Sequence, residues 1–350
     1  MNLDDLSKVC GAWLRGTGPM SDVVVSSRVR LARNLADYPF LSTASAVERT
    51  EIYRTLTRQI ASSSFGGGSF LVDVERASTL DRQLLIERHL ISRHHAAAEG
   101  SRGVSIADAE TRAIMINEED HLRIQTFRGG MQLDTLWNEV NEIDDVLSAS
   151  LPFAYDKQLG YLTACPTNLG TGIRVSVMVH LPALKWTREI ERVERAARDL
   201  RLAVRGLFGE GTDIVGDLYQ ISNQTTLGQS EEDIIQTFGS GVIPKIVEYE
   251  YAARESLVRN NAYQLDDRIW RAYGLLANAR CISGEETQAL LSPLRMGIHL
   301  NRFDLLDIPT LNELFLHTQS AHLQKLLGRT LEGEERAVER AKYLRTRLTR

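Results

Sequence analysis

The sequence predicts a mixed helix–strand domain, α/β or α+β, over residues 1–255, followed by a smaller all-α domain over residues 256–350. Three observations carry this. Apolar–polar alternation of period two is interleaved with helical spacing up to about residue 225. After GQSEED (228–233) the strand pattern stops, and helical periodicity broken by polar turns runs on. At 350 residues, with 43% hydrophobic and 25% charged side chains, the chain has core enough for one large domain and a smaller one.

Strands are expected at VVVSSRVRL (23–31), SFLVDV (69–74), GVSI (103–106), RAIMI (112–116), HLRIQTF (121–127), LTAC (162–165), IRVSVMVHL (173–181) and DIVGDLYQIS (213–222). Helical spacing covers about 46–61, 80–92, 132–148 and 187–202, and in the tail 230–259, 265–278, 284–291, 309–326 and 334–348. Ser45 with Glu48, Ser230 with Asp233, and SGEE at 283–286 carry capping signals that start three of these helices. SSSFGGGS (62–69) reads as a loop.

Charge and composition exclude several classes. A net charge of -5 offers no field for nucleic acid, so no direct nucleic-acid partner is expected. No apolar run approaches a membrane span of ~20 residues, and MNLDDLSKVC is no signal peptide. Cys10, Cys165 and Cys281, odd in number and widely spaced, suit reduced thiols in a cytoplasm. NQT at Asn223 carries no weight as a glycosylation site without secretion. His94 and His95 are adjacent on a helix, where their side chains diverge, and no metal-ligand spacing occurs elsewhere.

Only six lysines stand against 35 arginines. Codon bias explains that imbalance as readily as chemistry does, but the positions are informative. Alternation in SSRVRL buries Val29 and Leu31 and puts Arg28 and Arg30 on the other face. Arg123 opposes Leu122 and Ile124, and Arg174, Ser176 and Met178 oppose the stripe Ile173, Val175, Val177 and Val179. Any one arginine could sit on a wet sheet face. Together, with glycine-rich turns nearby, they suit a polyanion gripped by planar guanidinium forks. The P-loop, the G-x-G-x-x-G turn and the protein-kinase HRD and DFG elements are all missing.

CPTNLGT (165–171) resembles the signature of the guanidino (phosphagen) kinases, which move the γ-phosphoryl of ATP onto a guanidinium nitrogen. SSRVRLARN, NEEDHLRI, GIRVSVMVHLPAL, VRGLFGEGTD and YQISNQTTLG follow in that family's order, and LGRTLEGEERAVERA extends the likeness to the bacterial protein arginine kinases through the tail. The resemblance implies an α+β fold, a largely antiparallel, glutamine-synthetase-like sheet flanked by helices, followed by a smaller all-α domain. It implies ATP and Mg²⁺ as cofactors, with Mg²⁺ held by phosphates and water rather than by protein ligands.

The same resemblance assigns residues. Glu119 and Glu210 are the carboxylates that align the substrate guanidinium and take its proton, with Glu119 the base. Guanidinium has a pKa of about 12.5–13.8, and its protonated nitrogen has no lone pair with which to attack phosphorus. Cys165 lies beside the guanidinium. ATP is cradled by Ser26, Ser27, Arg28, Val29, Arg30, His89, Arg123, Arg174, Val175, Ser176, Val177, Met178, Arg205, Gly206, Leu207, Phe208, Gly209 and Glu210. In the tail, protein arginine kinases carry an R-D-x-x-R-A phosphoarginine pocket; here Arg336, Ala337, Arg340 and Ala341 stand in its place, and the aspartate is lost.

Only 25 residues precede Ser26, where small-molecule relatives carry a helical domain. That points to protein substrates bearing exposed arginines rather than to free arginine or another small guanidine. The expected partners are a zinc-binding activator protein, Clp protease machinery and a heat-shock repressor, with a homodimer left open. A catalytically silent phosphoarginine-binding adaptor is the remaining alternative.

Overall fold

The computed structural model describes residues 3–206 and 214–348. Among these residues ten strands form: β1 (Val24–Arg33), β2 (Ser69–Asp73), β3 (Gly103–Ala107), β4 (Arg112–Ile116), β5 (Leu122–Gly129), β6 (Tyr155–Asp156), β7 (Gly160–Tyr161), β8 (Ile173–His180), β9 (Leu202–Arg205) and β10 (Leu218–Asn223). Eight make one sheet in the order β2-β3-β4-β5-β1-β8-β10-β9, every pair antiparallel, while β6 and β7 make a separate short hairpin. Such ladders need no helical crossover, so the domain is α+β.

Alternation gives this sheet two chemistries. One face carries Val29, Leu31, Ile124, Val175 and Val177, all buried. Helix 133–148 packs across it with Leu136, Val140, Ile143 and Leu147 turned inward. The other face carries the arginines. Register fixes their neighbours: Arg30 lies opposite Arg174 on β8 and Gln125 on β5, Arg28 opposite Ser176, and Ala32 opposite Arg123.

Beyond Ser230 the chain is helical: 231–236, 243–260, 262–278, 284–299, 308–317, 320–327 and 333–348. Ser45 and Ser230 make full capping boxes, and the Ser283 side chain accepts from the Glu286 amide. Several elements differ from the periodicity. LTAC is no strand: residues 162–165 have no ladder partner, and beyond the Leu162 amide's bond to the Ala154 carbonyl they are fixed by Asn34, which donates to the Leu162 carbonyl, and Asp120, which accepts from the Ala164 amide. The four-residue edge strand β9 was too short to stand out. Helix 80–92 ends at Glu87 because His89 takes a left-handed backbone, φ 58°. The helix expected over 187–202 is shorter, 190–199, with a separate short helix before it at 182–186 and β9 starting at Leu202, and helix 309–326 breaks at Thr318–Gln319. A π-helical turn at 237–242 interrupts the helix expected over 230–259.

Burial silences histidines. His95 is inaccessible, and burial before any neighbouring charge pulls it down to about 3 from 6.5. His180 and His322 are displaced the same way. Between pH 6.5 and 3 the unfolded chain binds a proton that folded His95 refuses, so His95 weakens folding as pH falls. Burial pushes the carboxyls of Glu110, Asp120, Asp144 and Glu250 up, which acts in the opposite sense. The test is therefore a difference: denaturant unfolding at pH 7 and 5.5 should show His95→Leu losing about 1 kcal/mol less than the natural chain on acidification. Equal losses would contradict it.

Candidate active site

The arginine face forms the floor of a cleft of about 470 Å³. β1 supplies Arg28 and Arg30, β5 supplies Arg123 and Gln125, β8 supplies Arg174, and Arg205 and Gln220 come from β9 and β10. The wall is the segment between β2 and β3, which contributes Ile86, His89, Ile91, Ser92, Arg93 and His94. The turn joining β4 to β5 brings Glu118 and Glu119, and the loop after β7 brings Cys165, Thr167 and Asn168.

Like charges crowd here. Burial first, then the fields of Arg174 and Arg123, pull Arg28 down to about 10. Burial again, then Arg28, Arg123 and Arg174, hold Arg30 well below its ordinary range. The buried Arg30 Nε and the Ser176 hydroxyl have no hydrogen-bond partner among the described residues. Buried groups left unsatisfied beside clustered cations are what a polyanion would complete. Arg28 reaches Gln220 Oε1 at 3.4 Å, and Arg174 reaches the Ser222 hydroxyl at 3.1 Å.

The acidic turn is tightly built. Asn117 opens it in the left-handed conformation, φ 59°, and its amide donates to the Arg49 and Ser101 carbonyls at 2.8 Å each. Glu118 is buried. It accepts from Arg123 Nη1 at 2.8 Å, the Ser92 hydroxyl at 2.5 Å and the Glu119 amide at 2.9 Å. Burial opposes its charge, but Arg123, Ser92 and that amide outweigh it and hold the carboxyl below its ordinary range. Glu119 keeps 41% of its side chain exposed at the cleft lip and takes one bond, from Arg123 Nη2 at 3.1 Å.

Asp120 turns away to accept from Asn34 Nδ2 and the Ala164 amide, both at 2.7 Å. That second bond ties the acidic turn to Cys165. The Cys165 sulfur sits 3.0 Å from the Thr167 hydroxyl. Arg33 anchors the same loop from behind: it pairs with Asp144 at 2.7 Å, donates to the Thr171 carbonyl at 2.9 Å and stacks on Tyr161 at 3.5 Å. Gly172 has φ 66°, and a Cβ there would stand 2.7 Å from the Ala32 carbonyl.

Of the sequence-derived residues, the cleft gathers Arg28, Arg30, His89, Glu119, Arg123, Cys165, Arg174 and Arg205. Ser26, Ser176 and Met178 line an adjoining pocket with Trp13 and Phe127, which shares Arg28, His89 and Gln220 with the cleft. Ser27, Val29, Val175 and Val177 belong to the opposite face, where Ser27 donates to the Gly130 carbonyl; alternation puts their side chains away from the cleft. Gly206 follows β9, and Leu207, Phe208, Gly209 and Glu210 lie outside the described residues. Gln125, Gln220 and Ser92 were missed, though the first two share the alternation that revealed Arg123.

In the tail, Ala341 is buried and Arg336 is half-buried with an unpartnered Nε among the described residues. Arg340 is buried and already committed, donating to the Thr318 carbonyl at 2.7 Å and the Ile282 carbonyl at 2.9 Å. Ala337 accepts from the Ile282 amide through its carbonyl at 3.2 Å.

Residues 51–253 match the family described as ATP:guanido phosphotransferase, C-terminal catalytic domain. The chain belongs to that family. Residues 262–350 match the protein-arginine kinase McsB C-terminal domain. Among relatives, the protein-arginine kinase of Symbiobacterium thermophilum is 44% identical over 98% of both chains. That of Geobacillus thermodenitrificans is 43% identical over 96% of this chain and 93% of its own. Among solved structures, the duplicated taurocyamine kinase from Schistosoma mansoni with bound transition-state-analogue components superposes with a TM-score of 0.61 at 26% identity. That match covers 72% of this chain and 36% of the other. Lombricine kinase gives a TM-score of 0.59 at 28% identity, covering 72% and 71%.

For a guanido phosphotransferase, a planar fork at Arg174 can grip phosphate oxygens in a way that a lysine cannot. Arg174→Lys keeps the charge but should lower phosphotransfer by about 10²-fold at saturating ATP. A rate within threefold of the natural enzyme would reduce Arg174 to a point charge.

Proposed function

We propose that this chain is a protein arginine kinase, transferring the γ-phosphoryl of ATP to the guanidinium of arginine side chains in proteins. The observation that carries the reading is the crowded arginine face with two carboxylates at its edge, in a chain whose relatives over nearly their full length are named protein-arginine kinase. Arg28, Arg30, Arg123, Arg174 and Arg205 hold the phosphates and offset charge that develops on the transferring group. Glu119, half-exposed and singly bonded, orients the incoming guanidinium and takes its proton. Glu210 is its proposed partner.

Among the described residues no three His, Cys, Asp or Glu converge on a metal-sized site. The Mg²⁺ of this reading arrives on the nucleotide, held by phosphates and water, where it neutralises phosphate charge. The three free cysteines, widely spaced, suit a reducing, cytoplasmic setting; among the described residues no helix is long and apolar enough to cross a membrane. The wider role, marking proteins for Clp-type degradation or inactivating a stress repressor with a zinc-binding activator as partner, rests on the family resemblance alone.

The deciding experiment is incubation with ATP, Mg²⁺ and an arginine-rich protein, followed by mass spectrometry that preserves acid-labile N–P bonds. Phosphoarginine should form on the protein and not on free arginine, and Glu119→Gln should cut the rate by about 10²–10⁴ while ATP still binds. Phosphorylation of free arginine alone would favour a small-guanidine kinase.

Loss of the tail aspartate should weaken any phosphoarginine regulation, because Arg340 is engaged and no carboxylate at 337 meets the ligand's guanidinium. Ala337→Asp should raise affinity for free phosphoarginine by about tenfold or more, titrated calorimetrically into Glu119→Gln protein. Tight binding that ignores the substitution would refute this.

A further inference from the structure

Glu87, Arg88 and His89 are consecutive yet face different partners. His89 lines the cleft beside Arg28, and its backbone is left-handed, φ 58°, a conformation that a non-glycine residue keeps only when its surroundings impose it. Part of that imposition is local: Gln125 Nε2 donates to the His89 carbonyl at 3.0 Å, and the Trp13 ring meets His89 edge-on at 5.0 Å. The two residues before it are gripped from the far end of the chain.

Arg88 is fully buried. It pairs with Glu110 and donates to the Val9 carbonyl at 2.8 Å and to His322 Nε2 at 3.0 Å. Glu87 caps helix 320–327, accepting from the Ala321 amide at 2.9 Å, the His322 amide at 3.1 Å and His322 Nδ1 at 2.8 Å. Guanidinium only donates, so Nε2 is the acceptor and the ring proton sits on Nδ1, donated to Glu87. His322 is thus a neutral ring with both nitrogens used, each bonded to one of the two residues before His89. His317 stacks on it, 6.4 Å between centroids, and is itself held 2.8 Å from the Tyr343 hydroxyl.

We propose that His322, in the C-terminal helical region, is a positioning residue for phosphotransfer: by bridging Glu87 and Arg88 it fixes the backbone that carries His89 into the nucleotide cleft. This rests on the reading of His89 as an ATP contact. The helical region is then part of the nucleotide site's framework, 234 residues away in sequence from the segment that it holds.

The substitutions separate the two bonds. His322→Asn keeps a donor near Nδ1 and removes the acceptor for Arg88, whereas His322→Gln returns an acceptor near Nε2. KM and kcat for ATP, calorimetric ATP affinity and the unfolding midpoint would be measured for both, with His89→Ala as reference. His322→Asn should weaken ATP binding and raise its KM by about fivefold to tenfold with kcat within twofold, and His322→Gln should recover most of the loss. Should His322→Asn fail to fold, Glu87→Gln should reproduce the KM shift. If His89→Ala weakens ATP while the folded His322 and Glu87 variants match the natural enzyme, the network is structural only and the proposal falls. If His89→Ala leaves ATP affinity unchanged, the reading of His89 fails, and any His322 effect must act by another route.

Discussion

The arginine face is the constraint on which the rest of the molecule depends. Arg30 stands directly across the ladder from Arg174, with Arg28 and Arg123 close enough that each depresses its neighbours. Like charges at opposed positions on one sheet face are destabilising. They are tolerated because β1 lies between β5 and β8 with both edges hydrogen-bonded, and because the reverse face of the same strands is closed by helix 133–148. The backbone ladder and the core hold in place a charge pattern that the side chains alone would disperse. A polyanion on that face would remove the conflict, since its charge is the complement of the clustered guanidinium groups.

Around that face, buried ion pairs fix loops that have no ladder of their own. Arg33 points to the reverse face, where Asp144 neutralises it, and from there it holds Tyr161 and Thr171. Asn34, next in sequence, returns to the acidic turn through Asp120 and donates to the Leu162 carbonyl at 3.0 Å. Adjacent residues at the end of one strand therefore determine where Cys165 lies. Removing one partner of such a buried pair costs more than the pair contributes, since the other charge is left stranded.

Period-two alternation was enough to place the arginines on one face and the valines on the other, because register in a half-buried sheet is set by that pattern. It failed where tertiary contacts outrank local preference. Residues 162–165 look strand-like but are held by Asp120 and Asn34, side chains distant in sequence. Helix 80–92 has continuous apolar spacing, yet it stops so that His89 can turn into the cleft. The motifs placed Glu119 and Cys165 through family likeness, not through anything in their spacing. No local pattern could have joined His322 to Glu87 and Arg88, since nothing in either segment encodes the other.

The turn Glu118–Glu119–Asp120 shows the same limit resolved by environment. Three adjacent acids are indistinguishable in sequence, but the fold gives them three different surroundings. Asp120 is buried against Asn34 and the Ala164 amide, turned from the cleft, and burial pushes its carboxyl up. Glu118 faces the cleft but is bonded by Arg123, Ser92 and a backbone amide, and those donors favour its charged form, the counter-ion that lets Arg123 stand among the other arginines. With three of about four lone-pair sites taken by donors, its carboxylate is stabilised against gaining a proton. Glu119 accepts one bond and remains 41% exposed, leaving oxygen lone pairs open at the cleft lip. Arg123 bridges both glutamates, so the residue that neutralises Glu118 also orients Glu119. Neighbouring carboxyl groups acquire different roles by this route wherever burial and hydrogen bonding separate them.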